Sequence, residues 1–262
     1  MVVFFDIDGT IIDGRTNAIP ESAVRAVEKL KENGHVAIVN TGRPYYQVDA
    51  RVKQMAFRGF ACGCGMEVFL DGEWLVRAKP EAALRRKAVA CSRKYGMRSF
   101  YETEDGGILL DGEHSRHPIM SREVERLRSV GFPIHTLTDP KEPDFVKFVT
   151  YPGGGSDVDA FLREMETDFT IIARENTMYE LVLKGFSKAR GMETVLSKLG
   201  ADREQTMAIG DSTNDLPMFR CVGTPIAMGG SPEVLLREAA FETSEVLNGG
   251  IQRGLERCGL ID

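Results

Sequence analysis

The chain has 262 residues, a net charge of −6 at pH 7 and 42% hydrophobic residues, the make-up of a globular protein with one large domain or two smaller ones. Acidic and basic residues are mixed along it, which excludes a basic nucleic-acid footprint, and no apolar run approaches membrane-spanning length. The N-terminus lacks a basic region and a cleavage site and carries Asp6 and Asp8 too early for a signal peptide.

The run Met1-Val2-Val3-Phe4-Phe5 reads as a buried strand that ends in Asp6-Ile7-Asp8-Gly9-Thr10. Alternate strand residues face opposite ways. For Asp6 and Asp8 to serve one site, the chain must already turn at Ile7, and Gly9 permits that turn. Two carboxylates this close raise each other's pKa unless a cation sits between them, so the first ten residues point to metal-assisted chemistry. A calcium loop fits poorly, because its sixth position, counted from Asp6, is Ile11 rather than glycine.

A helix follows from Pro20, with Ala23, Val24, Val27 and Leu30 at helical spacing and Asn33-Gly34 as its stop. A short buried strand over 36–39 ends in Asn40-Thr41-Gly42-Arg43. The pattern predicts a helix over 45–55, a strand over 60–62, and a hairpin of strands 67–70 and 73–76 around Asp71-Gly72. The βαβ rhythm argues for a parallel sheet with helices on both faces.

The middle differs. A polar helix over 80–95 leads to strands over 98–101 and 108–110, split by Asp105-Gly106-Gly107, and a helix over 121–130. A strand over 145–151, the loop Pro152-Gly153-Gly154-Gly155, a helix over 156–166 and strands over 170–173 and 179–183 complete an α+β stretch, a candidate inserted domain. The parallel rhythm then returns. A helix over 188–199 stops at Gly200, and a strand over 206–209 ends in Gly210-Asp211-Ser212-Thr213-Asn214-Asp215. A strand over 226–228, the turn Gly229-Gly230-Ser231-Pro232, a helix, a strand near Phe241 and a final helix after Gly249-Gly250 close the pattern.

Five cysteines (Cys62, Cys64, Cys91, Cys221, Cys258) form no disulfide framework. Cys62-Gly63-Cys64 lacks the two-residue gap and the second pair of a metal site, so they read as structural thiols in a reducing cytoplasm. Gly63-Cys64-Gly65 begins a dinucleotide fingerprint but lacks its third glycine. His35, His114, His117 and His135 are scattered and read as structural.

Three strand ends thus carry polar clusters: Asp6 with Asp8, Thr41-Gly42-Arg43, and Asp211 with Asn214 and Asp215. Ligands of open α/β sheets bind at the carboxyl ends of strands. Four carboxylates gathered there call for a cation, and hard oxygen ligands suit Mg²⁺. The Thr41 hydroxyl and Gly42 backbone suit an anion. Lys188 begins a helix, where the macrodipole disfavours it, and a bound phosphate would rationalise it.

The sequence resembles the haloacid dehalogenase-like superfamily, in particular its Cof-like phosphatases with a type IIB cap. Asp6-Ile7-Asp8-Gly9-Thr10, Thr41-Gly42-Arg43, Lys188-Ala189-Arg190-Gly191 and Gly210-Asp211-Ser212-Thr213-Asn214-Asp215 match the four family motifs in order, over the whole chain. The resemblance implies an α/β Rossmann-like parallel-sheet core over 1–80 and 185–262, with an inserted α+β cap domain over 81–184. It implies a Mg²⁺-dependent phosphatase acting on phosphate monoesters of small metabolites, chiefly sugar phosphates. Asp6 would be the nucleophile that becomes an aspartyl phosphate, and Asp8 the acid and then the base. Mg²⁺ would be held by Asp6, the Asp8 backbone carbonyl and Asp211, with Asp215 orienting water, while Thr41, Gly42, Lys188 and Asn214 would hold phosphoryl oxygens. Where relatives commonly place Asn-Gly, this chain has Cys62-Gly63-Cys64-Gly65.

Substrate choice is expected in the cap, where Glu102, Asp105, Gly106-Gly107, Arg174, Glu175 and Asn176 are candidates that also read as solvated loop residues. The expected partner is a small phosphorylated metabolite, with no nucleic acid, no membrane, and a cytoplasmic monomer or homodimer. A phosphomutase on the same fold and a non-catalytic phosphate or metal sensor are the competing functions. A phosphotransfer ATPase is disfavoured, since those relatives have Thr where this chain has Asp8.

Overall fold

The opening apolar run is the centre of a sheet. The computed structural model describes residues 1–139, 142–174 and 178–262. The chain divides into two compact units, Met1–Arg43 with Val48–Arg77 and Ser187–Asp262, and Pro44–Gln47 with Ala78–Phe186.

The first unit begins with β1 (Val2–Phe5), buried throughout. Then come α1 (Glu21–Glu32), β2 (Val36–Asn40), α2 (Ala50–Lys53), β3 (Gly59–Cys62), β4 (Glu67–Leu70) and β5 (Glu73–Arg77). Helix α1 buries Ala23, Ala26, Val27 and Leu30, the stripe its 3.6-residue period dictates. The expected single helix over 45–55 is broken. Tyr45–Gln47 makes one tight turn, and the Asp49 side chain accepts from Arg51 N to start α2 afresh at Ala50. The β4–β5 turn places Asp71 and Gly72 at positive φ (52° and 86°), as a two-residue hairpin requires.

The second unit contains α3 (Ala82–Lys94), β6 (Met97–Glu102), β7 (Ile108–Leu110), α4 (Pro118–Ser129), β8 (Ile134–Thr136), β9 (Lys147–Pro152), α5 (Val158–Met165), β10 (Phe169–Arg174) and β11 (Met178–Leu183). Its sheet runs β10-β11-β9-β6-β7-β8, antiparallel except for the β7–β8 pair. Tyr101, Phe145, Phe148, Phe161 and Phe169 fill its core. On its sheet, Lys147 is buried beside Glu102 and Glu180, with Nζ 3.2 Å from the Glu102 carboxylate.

The chain then returns to the first unit with α6 (Lys188–Leu199), β12 (Thr206–Gly210), α7 (Leu216–Phe219), β13 (Thr224–Ala227), α8 (Glu233–Leu236), β14 (Phe241–Glu242) and α9 (Gly250–Arg257). The order is β14-β13-β12-β1-β2-β3-β4-β5, parallel from β14 to β3 and antiparallel beyond. Phe5 pairs with Ile209 on one side and Val39 on the other, so the ends of β12, β1 and β2 lie level. The turn after β3 packs on α6. A Cβ on Gly65 would lie 2.7 Å from Gly191 N, so the Cys62-Gly63-Cys64-Gly65 run lets this turn approach the first turn of α6. None of the five cysteines is in a disulfide. Among the described residues, no helix is long and apolar enough to cross a membrane.

Candidate active site

Three level strand ends bring the polar clusters together in the first unit. After β1 the chain turns at Ile7, whose carbonyl accepts from Thr10, Ile11 and Ile12 N–H groups. Asp6 is therefore buried, and the Asp8 side chain stays half exposed. After β12, a capping box ties Ser212 to Asp215, and Asp215 Oδ2 accepts from Asp211 N at 3.0 Å and Ser212 N at 3.1 Å.

Lys188 joins the two loops. Its side chain is buried, and Nζ donates to Asp6 Oδ1 at 2.5 Å and to Asp215 Oδ1 at 2.6 Å. A lysine at a helix start is thus balanced by two carboxylates within the protein. Ser187 caps α6 by accepting from Arg190 N, and Asn40, at the end of β2, donates to Lys188 O at 3.1 Å. Asn40 was not singled out in the sequence; its signal is a polar residue ending a buried strand.

Oxygens of Asp6, Asp211 and Asp215 lie within 4.8 Å of one another. One ammonium cannot offset three carboxylates. Burial, opposed by Lys188 and reinforced by Asp215 and Asp8, pushes Asp6 up to about 7. Burial and the charge of Asp6 push Asp211 up to about 8. Against its burial, Asp215 and Asp6 hold Lys188 charged, above its usual range. Asp211 Oδ1 is buried with no hydrogen-bond partner. Such an orphaned oxygen, beside carboxylates that resist ionising, fits a divalent cation with oxygen ligands. Asp215 has both oxygens engaged by N–H donors and Lys188, so Asp6 and Asp211 are the side chains available for direct ligation.

Gly9 makes this geometry possible. Its φ is +79°, and a Cβ there would lie 2.1 Å from Asp211 Oδ2. Gly9→Ala therefore displaces the Asp211 carboxylate. The expected result is about 1–3 kcal/mol of destabilisation and a weakened divalent-cation shift in melting temperature. Thermal melts with and without Mg²⁺ check it, and an unchanged shift would remove Gly9 from the site.

The remaining expected residues are placed as follows. Thr41 is buried, and its Oγ1 accepts from Arg43 N at 3.2 Å. Gly42 follows it at the end of β2, also buried. Asn214 Oδ1 accepts from Ser212 Oγ at 2.6 Å. The Asp8 carboxylate lies apart from the acidic group, paired with Arg43. In the second unit, Glu102 is buried at the end of β6, not solvated. Asp105 accepts from Gly107 N at 3.1 Å and meets His135 Nε2 at 3.1 Å, beside a cavity of about 480 Å³ also lined by Glu104, Asp139, Glu142 and Asp144. His117 stacks on Tyr151 with ring centroids 5.0 Å apart. Glu175 and Asn176, and the side chains of Arg174 and His114, lie outside what is described.

Residues 3–255 match the family model described as haloacid dehalogenase-like hydrolase. The chain belongs to that family. It is thus a hydrolase. Over 99% of its length it is 26% identical to the Bacillus subtilis protein named "Putative phosphatase YkrA", of which 98% is covered. A solved protein of Geobacillus kaustophilus superposes with a TM-score of 0.83 at 27% identity, over 99% of each chain. The subclass IIB sugar phosphatase BT4131 superposes with a TM-score of 0.82 at 22% identity, over 99% of each chain, a likeness of fold.

Proposed function

We propose that the protein is a phosphatase that hydrolyses phosphate monoesters of small metabolites, with sugar phosphates as the substrate class and Mg²⁺ as the cofactor. The observation that carries this reading is the group of buried Asp6 and Asp215 with partly buried Asp211, around Lys188 at the ends of β1 and β12. The resemblance of the whole chain to a phosphatase-named relative and to the fold of a sugar phosphatase supports the class.

Asp6 attacks phosphorus, the bond to the leaving oxygen breaks, and Asp8 gives that oxygen its proton. Asp8 then takes a proton from the water that hydrolyses the aspartyl phosphate. Lys188, Thr41, Gly42 and Asn214 hold the phosphoryl oxygens, the positioning that a loose transition state rewards. Asp6, Asp211 and the Asp8 carbonyl would hold Mg²⁺, and Asp215, which fixes the loop that presents Asp211, would orient water. When bound, Mg²⁺ neutralises the carboxylates and the charge on the transferring group. The second unit acts as the cap that selects the substrate. Five cysteines without a disulfide fit a reducing cytoplasm.

The test is phosphate release from p-nitrophenyl phosphate and a panel of sugar phosphates, with Mg²⁺ and with EDTA. Metal-dependent release is expected, strongest on one group of sugar phosphates. A folded, Mg²⁺-loaded protein that releases phosphate from none of them would overturn the reading, and turnover that requires a bisphosphate activator would make it a mutase.

A further inference from the structure

Thr41-Gly42-Arg43 contains a residue to which the proposed mechanism gives no task. Arg43 Nε donates to Asp8 Oδ2 at 2.8 Å and Nη2 donates to Asp8 Oδ1 at 2.5 Å. Two parallel N–H···O bonds make a fork that fixes both position and plane of a carboxylate, which a single ammonium cannot do. The base of the fork is itself anchored. Arg43 N donates to the buried Thr41 Oγ1 at 3.2 Å, and Gly63 N donates to Arg43 O at 2.8 Å. Arg43 is thereby tied both to the end of β2 and to the turn after β3.

Asp8 needs such support. Its side chain is 55% exposed, against 21% for Arg43, and it sits on the turn that follows β1. An exposed aspartate on a turn samples several rotamers, whereas proton transfer requires one, within hydrogen-bond reach of the leaving oxygen. Asp49 also faces Arg43's charge, but its carboxylate is engaged by Arg51 Nε at 3.0 Å and Nη2 at 2.7 Å.

We propose that Arg43 is a positioning residue for Asp8, holding its carboxyl group in the orientation used to protonate the leaving oxygen and then to receive the proton of the attacking water. The inference rests on the phosphatase reading and on Asp8 as its acid and base. Arg43 gives and takes no proton. Its effect reaches the reaction only through Asp8.

This dependence sets the experiment. A nitrophenolate leaves without a proton, whereas an alkoxide does not, so the two ester types separate help to Asp8 from help to phosphate binding. The values of kcat/KM, which report the steps up to leaving-group departure, are measured for p-nitrophenyl phosphate and for the best sugar phosphate. Arg43→Ala is expected to lose about 10²-fold on the sugar phosphate and no more than about 5-fold on the nitrophenyl ester. Arg43→Lys, which keeps the charge without the fork, is expected to lose nearly as much. In an Asp8→Asn background, Arg43→Ala is expected to add no further loss. Equal losses on both esters, a loss confined to KM, or an additional loss in the Asp8→Asn background would each overturn the proposal. If Arg43→Ala does not fold, as judged by its thermal melt, Arg43→Gln takes its place. Phosphate release by the wild type, abolished by Asp6→Asn, establishes the phosphatase reading separately, so a failure of Arg43 is distinguishable from a failure of that reading.

Discussion

Asp6→Asn is expected to abolish phosphate release and, in EDTA, to make the protein more stable than the wild type at pH 8. The two effects have one source. Asp6 is buried among Asp211 and Asp215, with a single lysine to balance them. As the proposed nucleophile it cannot be replaced, so turnover should fall by ~10⁴-fold or more. As a buried charge it is a burden when no cation is present. Burial pushes its folded pKa up to about 7, above the ordinary aspartate value of 3.8. A group whose pKa is raised by folding binds its proton more tightly in the folded state. Stability therefore falls as pH rises from about 4 through 7, by up to about 4 kcal/mol for this group. Asparagine keeps the shape, still accepts from Lys188 and carries no charge. Melts in EDTA from pH 5 to 8.5 should show a steep decline for the wild type and a shallower one for the variant. Mg²⁺ should raise the wild-type melting temperature at pH 8 and affect the variant little. Residual turnover near the wild-type rate, or a variant that melts below the wild type at pH 8 in EDTA, would contradict the assignment.

Lys188→Ala has the opposite sign. It leaves Asp6 and Asp215 buried without their common cation, and removing one partner of a buried ion pair costs about 3–5 kcal/mol. The lysine's pKa is raised by folding, above its usual 10.5, so its own titration removes no stability between pH 5 and 9. The wild-type decline with pH thus belongs to the carboxylates. The loss in Lys188→Ala should shrink at pH 5, where Asp6 and Asp211 take up protons. Urea unfolding of Lys188→Ala and of Lys188→Met, which restores most of the volume, separates charge from packing. A loss below about 1 kcal/mol in Lys188→Met at pH 8 would mean that the ammonium does not hold the site together.

Much of this was legible in the chain because the signals are local. Pro20 and Asn33-Gly34 bracket α1, Gly200 stops α6, and Asp71-Gly72 sets a hairpin, each through the backbone conformation of a few residues. The buried strands β1, β2 and β12 announce themselves as short apolar runs ending in polar clusters, so the carboxylates could be placed at one sheet edge. What escaped depends on distant partners. Ile134–Thr136 forms a strand only because β7 offers it a parallel edge, and two of its three residues are exposed. The turn at Tyr45–Gln47 carries helical periodicity, but Asp49 restarts the helix with its own cap. Lys188 reads from sequence as awaiting a phosphate, since nothing nearby tells of Asp6, 182 residues earlier. The fork of Arg43 on Asp8, 35 residues apart, is likewise a matter of tertiary placement. Glu102 resembles a loop residue until Lys147 is laid against it across the β6–β9 pair.

The 182 residues between Asp6 and Lys188 have a kinetic meaning. When α6 docks against the end of β1, the chain closes a loop that contains the whole of Ala78–Phe186. The entropy of closing a loop grows with its number of freely moving residues, by roughly 0.6 kcal/mol for each doubling. A segment that has already collapsed into its own sheet and core no longer counts as slack. Folding of the inserted unit therefore shortens the effective tether across which the nucleophile and its lysine must find each other, and assists assembly of a sheet to which it contributes no strand among the described residues.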